Sequence, residues 1–135
     1  MYLVLHSTLF YIDLCPHPIP AMNPLENTQA QMRKGVLEFC ILSIIRQGEV
    51  YPSDILHHLK AAKLVVVEGT LYPLLTRLKN QGLLAYTWKE SSSGPPRKYY
   101  SLTPEGIQFT QSLESTWKEL VDAVTVTTQS SSKKS

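Results

Sequence analysis

The stretch Glu68–Asn80, EGTLYPLLTRLKN, places Leu71, Leu74, Leu75 and Leu78 at spacings of three, four and seven from the first leucine. That is the period of a helix with one apolar face. The opposite side carries Thr70, Tyr72, Pro73, Thr76, Arg77, Lys79 and Asn80, and Gly82 follows as a stop signal. Pro73 is placed in the first turn, where a missing N–H is tolerated.

Downstream the period changes from helical to alternating. Leu84, Tyr86 and Trp88 alternate with Ala85, Thr87 and Lys89, as in a strand. Residues 91–96, SSSGPP, read as a turn, and residues 97–102, RKYYSL, as a second strand. The pair predicts a β-hairpin with a long polar tip presenting two adjacent cations, Arg97 and Lys98.

Upstream, residues 32–48 predict a helix ended by Gly48. Val36, Leu37, Cys40, Ile41, Ile44 and Ile45 form its stripe, and Phe39 and Leu42 widen it. A helix this apolar is covered on more than one side. Pro52-Ser53-Asp54 opens a second helix with Ile55, Leu56 and Leu59 inward, running to about Ala62. Residues 64–67 are a β-branched connector. Thr103-Pro104-Glu105 opens a last helix with an N-cap, a proline and an acid in order. On it Leu113, Trp117, Leu120 and Val124 recur at steps of four, three and four, with Val121 alongside. That spacing is a seam for a second helix.

The ends read differently. Pro16, Pro18, Pro20 and Pro24 interrupt any regular element in residues 1–31. We expect a disordered extension there, or one arising from an upstream start assignment with translation beginning at Met22. Residues 32–104 form the expected winged-helix unit, 105–126 a dimerisation helix, and the Thr/Ser-rich 127–135 a disordered tail. The fold class expected is mainly α with a small β-hairpin: a winged helix-turn-helix plus a C-terminal dimerisation helix.

Composition narrows the function. The chain has 135 residues, 43% of them hydrophobic, enough for one domain with a real core. Net charge is +2, but residues 32–104 carry ten Lys/Arg against five Asp/Glu, and residues 105–132 carry one against four. A basic middle and an acidic C-terminal segment suit two partners, a polyanion and a protein. Cys15 and Cys40 fit no zinc or CxxC spacing, so no metal is expected, and reduced thiols suit the cytoplasm. No apolar run is long enough for a membrane span. No phosphate-binding, nucleotide-binding or nucleophile-elbow motif is present, and the adjacent His57 and His58 point to different sides of a helix. Neither an enzyme nor a cofactor is expected.

A major groove admits one α-helix, whose first turns meet base edges. The helix from Gly69 is the candidate, with Gly69, Thr70, Tyr72, Pro73 and Thr76 toward the DNA and Arg77 and Lys79 nearer phosphates. Ser53, at the head of the preceding helix, joins the candidate contacts. The hairpin sets Lys89, Arg97 and Lys98 against the backbone or the minor groove. The rival is the same fold used as a protein-interaction module without DNA.

Residues 69–78 (GTLYPLLTRL), Gly82-Leu83-Leu84 and residues 94–106 (GPPRKYYSLTPEG) together resemble the signature of PadR-type transcriptional regulators. The resemblance covers residues 32–126, and residues 1–31 have no counterpart in it. It implies a winged-helix homodimer that represses genes, with the last helix crossing to its partner. Tyr72, Arg97 and Lys98 are then DNA-contacting positions, and the single short C-terminal helix matches the small subfamily. Some members bind flat hydrophobic compounds between their C-terminal helices, using a tryptophan where this chain has Trp117. Trp117 therefore has two readings, an effector-binding ring or a packing residue in the dimer seam.

Overall fold

The computed structural model describes residues 23–130. In chain order these are α1 (Pro24–Arg46), α2 (Pro52–Ala61), α3 (Glu68–Asn80), β1 (Leu84–Ser91), β2 (Gly94–Leu102) and α4 (Pro104–Ser130). The chain divides into two compact units, residues 1–31 and 32–135.

Each expected element is present, and several boundaries move. α1 begins at Pro24, where a break was expected. Proline is tolerated there because it occupies the first helical position, where its missing N–H is not needed. Asn23 is the cap: its Oδ1 accepts the Glu26 N–H at 2.8 Å. Residues 24–31 are thus helical, while 1–22 lie outside the described residues. At the other end α4 continues to Ser130, so residues 127–130, assigned to a disordered tail, extend the helix. Residues 131–135 lie outside the described residues.

The core is built from one face of each element. Ile41, Leu42 and Ile45 of α1 meet Ile55 and Leu59 of α2 and Leu71, Leu75 and Leu78 of α3, all buried. Each such side chain contributes roughly 1.5–3 kcal/mol by leaving water. Leu83, Leu84 and Tyr100 close the core from the hairpin. The breadth expected of α1 is seen in Leu37, Cys40 and Ile44, half-buried against the same cluster.

Helices α2 and α3 end alike. In each, an N–H reaches back five residues, Leu64 to the Leu59 carbonyl at 2.8 Å and Leu83 to the Leu78 carbonyl at 3.0 Å. This closure needs a left-handed residue between. Gly82 supplies it at φ 79°, and Lys63 does so at φ 64° despite its Cβ.

The hairpin differs from expectation at its tip. The strands pair as far as Ser91 opposite Gly94, leaving a two-residue turn instead of a long loop. Pro95 and Pro96 lie within β2, where the register shifts between Lys89 and Ser91. Prolines give no ladder N–H, so they are accommodated in a strand only at an edge or an irregularity. A third segment joins the ribbon through Val50, which pairs antiparallel with Tyr100. Their backbones exchange two hydrogen bonds, Val50 N–H to Tyr100 O at 3.1 Å and Tyr100 N–H to Val50 O at 2.8 Å.

α4 docks at its start through Thr103. The Thr103 hydroxyl donates to the Gly82 carbonyl at 2.6 Å and accepts the Gly106 N–H at 3.0 Å. The Thr103 N–H donates to the Leu83 carbonyl at 3.1 Å. One residue thus caps α4 and ties it to the end of α3.

Candidate nucleic-acid interface

Because Leu71, Leu75 and Leu78 of α3 are buried, residues half a turn away face outward. Gly69, Tyr72, Pro73 and Thr76 form that stripe and are exposed; Thr70, Arg77 and Lys79 flank it, also exposed. Tyr72 remains 43% exposed, a large ring held out from the helix. Pro73 is the sixth residue of α3, beyond the first turn where it was placed. Its missing N–H leaves the Gly69 carbonyl without its helical donor. Both residues are exposed, so water reaches that carbonyl.

The flanking cations are engaged. The Arg77 guanidinium donates to Glu38 of α1 at 2.9 Å. Lys79 reaches toward the Tyr86 ring of β1, 5.8 Å from its centre. Surface pairs of this kind are worth up to about 1 kcal/mol, so they orient the side chains without locking them.

The hairpin separates its cations. Successive strand residues point to opposite faces. One face carries the cross-strand pairs Tyr86–Tyr100 and Trp88–Lys98, the other Thr87–Tyr99 and Lys89–Arg97. Arg97 and Lys98 are therefore adjacent in sequence and on opposite sides of the ribbon, not a shared cationic tip. The Lys98 ammonium lies over the Tyr86 and Trp88 rings at 4.4 and 5.4 Å. The Arg97 guanidinium lies 4.9 Å over the Tyr51 ring, and Lys89 lies 5.0 Å over Tyr99 while pairing with Glu49.

Tyr51 was not anticipated from sequence. It sits just before α2, and its ring is 5.8 Å from that of Tyr99. Its backbone N–H donates to the Asp54 carboxylate at 3.3 Å, so Asp54 rather than Ser53 closes the start of α2. Ser53 is half-buried in the same turn. Tyr51 also reaches the stripe on α3: burial pushes the Tyr72 hydroxyl above the usual phenol range, and Tyr51 and then Glu68 push it further. Tyr100 is raised in the same way, first by burial and then by Tyr72 and Tyr86. Tyrosine rings thus meet on both faces of the hairpin, Tyr51 with Tyr99 and Tyr86 with Tyr100. The available signal was the dense tyrosine content around residues 51, 72, 86, 99 and 100, which periodicity does not register.

This arrangement is a helix stripe flanked by a cation-bearing ribbon, and comparison with known proteins gives it a family. A family model described as "Transcriptional regulator PadR-like family" matches residues 41–112. The chain belongs to the PadR-like family of transcriptional regulators. A PadR-like transcription factor from Bacteroides fragilis is 57% identical over 73% of this chain and 96% of its own, with a TM-score of 0.63. A PadR-like regulator from Bacillus cereus is 41% identical over 73% of this chain and 97% of its own, TM-score 0.66. Bacillus subtilis PadR, solved in complex with operator DNA, is 26% identical over 58% of this chain and 46% of its own, TM-score 0.54. Comparison with curated proteins gave no match. As a PadR-like regulator, the protein has the winged-helix fold and the non-enzymatic class expected from its motifs. Among its described residues no helix is long and apolar enough to cross a membrane, and no acidic, histidine and cysteine groups cluster as metal ligands.

A second surface of this PadR-like chain lies on α4. The seam residues divide. Leu113 packs against the chain's own core, alongside buried Thr110 and Gly106. Beyond it Trp117, Leu120, Val121 and Val124 are 42%, 49%, 41% and 51% exposed. Leu113 therefore belongs in large part to the chain's own fold. Arg46 at the end of α1 pairs with Glu114 at 3.3 Å, next to the point where the stripe leaves the core.

Proposed function

We propose that this PadR-like regulator binds a double-stranded DNA operator as a homodimer in the cytoplasm and represses the adjoining genes. The observation that carries the DNA reading is the exposed stripe Gly69, Tyr72, Pro73 and Thr76, set beside a ribbon bearing Lys89, Arg97 and Lys98. A helix stripe free of large buried contacts suits a major groove, and cations on both faces of the ribbon suit the phosphates beside it. The operator complex of Bacillus subtilis PadR supports the same use of the fold. Gly69, Thr70, Tyr72, Pro73 and Thr76 then approach base edges, with Ser53, Arg77, Lys79 and the hairpin cations nearer the backbone.

The homodimer is proposed from α4. Trp117, Leu120, Val121 and Val124 continue the stripe that Leu113 starts, and a lone soluble chain would leave this apolar run in water. Pairing with a second copy of α4 covers it. In that pairing Trp117 enters the seam, where a flat hydrophobic effector has an aromatic ring to stack on.

Selection of bound sequences from random DNA tests the proposal. The expected product is a palindrome with half-sites near one helical turn, ~10 bp, or a multiple of it. Failure to enrich any sequence, together with protein-partner binding insensitive to salt, would favour the interaction-module reading instead.

A further inference from the structure

The cations on the hairpin's outer face are not equivalent. Lys89 and Arg97 stand opposite each other in the register. The short segment 49–51 runs beside them, held by the Val50–Tyr100 backbone pair. Because Val50 points inward against the core, its neighbours Glu49 and Tyr51 are left for the outer face. Each takes one cation. Tyr51 puts an aromatic ring under Arg97, whereas Glu49 puts a carboxylate on Lys89.

The two supports have opposite consequences for a phosphate. A guanidinium resting on a ring keeps its full charge, and its N–H edge stays open to a bidentate acceptor. Among the described residues no carboxylate pairs with Arg97. An ammonium paired with a carboxylate offers DNA less net charge, even where the pair itself is weak. To bind phosphate it must exchange one anion for another, and it leaves the carboxylate charge next to the DNA.

We propose that Glu49 sets the sequence-independent part of this protein's DNA affinity: it holds Lys89 in an internal ion pair, so that from this face of the hairpin Arg97 is the residue that neutralises a phosphate. The inference rests on the DNA-binding reading above and adds a residue that reading does not contain. Tyr51 is a positioning residue in the same device. It orients Arg97 without itself needing to touch DNA.

The number of phosphates neutralised is read from the salt dependence of binding, with a slope of about 0.9 per phosphate on B-form DNA. The measurement uses full-length protein and a fluorescently labelled duplex of randomised sequence, titrated across a range of salt concentrations. Glu49→Gln keeps the shape and removes the charge. It is expected to steepen the slope by up to ~0.9, so that its gain in affinity is roughly three- to fourfold larger at about 50 mM than at about 200 mM salt. Adding Lys89→Met to Glu49→Gln is expected to cancel that gain. Arg97→Met is expected to flatten the wild-type slope by up to ~0.9.

A Glu49→Gln slope equal to the wild type overturns the proposal. So does a gain that survives in the Glu49→Gln/Lys89→Met double variant, because the carboxylate would then act through general repulsion rather than through Lys89. Wild-type protein that shows no salt-dependent binding to any duplex overturns the DNA reading itself. That outcome appears before any variant is made, so the two failures are distinguishable.

Discussion

Replacing Gly106 by alanine should destabilise the protein, although the same exchange elsewhere in a helix stabilises it. Gly106 lies in the first turn of α4, and a Cβ built there falls 2.0 Å from the Leu83 carbonyl oxygen and 3.3 Å from the Leu102 side chain. The oxygen belongs to backbone that already accepts the Thr103 N–H, so it cannot rotate away. Relief requires α4 to withdraw by about 1.5 Å, to reach ordinary contact distance. That movement strains the Thr103 joint, whose three bonds span 2.6–3.1 Å. Overpacking costs about 1–3 kcal/mol and a weakened N-cap about 1 kcal/mol more, against about 1 kcal/mol gained from helix propensity. The net loss is about 2 kcal/mol. Gly35, in α1, is the control, because a Cβ there meets nothing within 4 Å. Gly35→Ala should gain about 0.5–1 kcal/mol. Urea denaturation at one protein concentration measures both, since the stability of the proposed dimer depends on concentration. Gly106→Ala with an unchanged or raised midpoint would refute the close approach of α4 to Leu83.

Two further outcomes are expected. If α4 forms the proposed dimer seam, Leu120→Glu should raise the dimer dissociation constant at least about a hundredfold, because each protomer would bury an unpaired charge. Sedimentation equilibrium should then show a monomer that binds DNA more weakly, whereas a persistent dimer would place the interface elsewhere. Stability should also fall at high pH. Burial raises Tyr100 and Tyr72 above the phenol value of 10.0, so the folded state holds their protons more tightly than the unfolded chain does. Their contribution is complete below that value and is lost as pH rises through the folded values. Tyr100→Phe should flatten the fall in urea midpoint above about pH 10, and an unchanged pH profile would count against it.

The helices and strands were legible because each buries one face, and burial imposes a period. Leu71, Leu75 and Leu78 are at helical spacing and fully buried; Leu84 and Tyr86 alternate with outward residues as a strand should. Boundaries were less legible because they depend on one or two capping atoms. The sequence Asn23-Pro24-Leu25-Glu26 holds a cap, a proline at the first position and an acid in the first turn. Three further prolines upstream obscured that signal. Lys63 was invisible as a left-handed residue, since its conformation comes from the Leu64-to-Leu59 closure and not from its own preference.

The candidate interface shows where a one-dimensional reading stops. Adjacency of Arg97 and Lys98 suggested one cationic patch, yet a strand alternates its side chains, so the nearest cation to Arg97 across the ladder is Lys89. Partners from distant sequence then decide what each charge can do. Glu49 is forty residues from Lys89, and Glu38 is thirty-nine from Arg77. Both carboxylates lie in stretches that periodicity reads only as helix or loop. Counting basic residues overstates the charge offered to a polyanion, because two of the cations assigned to DNA are already paired. The α4 seam follows the same logic in reverse. Its apolar spacing is continuous from Leu113 to Val124, but the fold takes Leu113 into its own core and leaves the residues from Trp117 onward exposed. A stripe of one chemistry is therefore buried at one end and exposed at the other, and the changeover falls beside Glu114, where Arg46 ties α1 to α4.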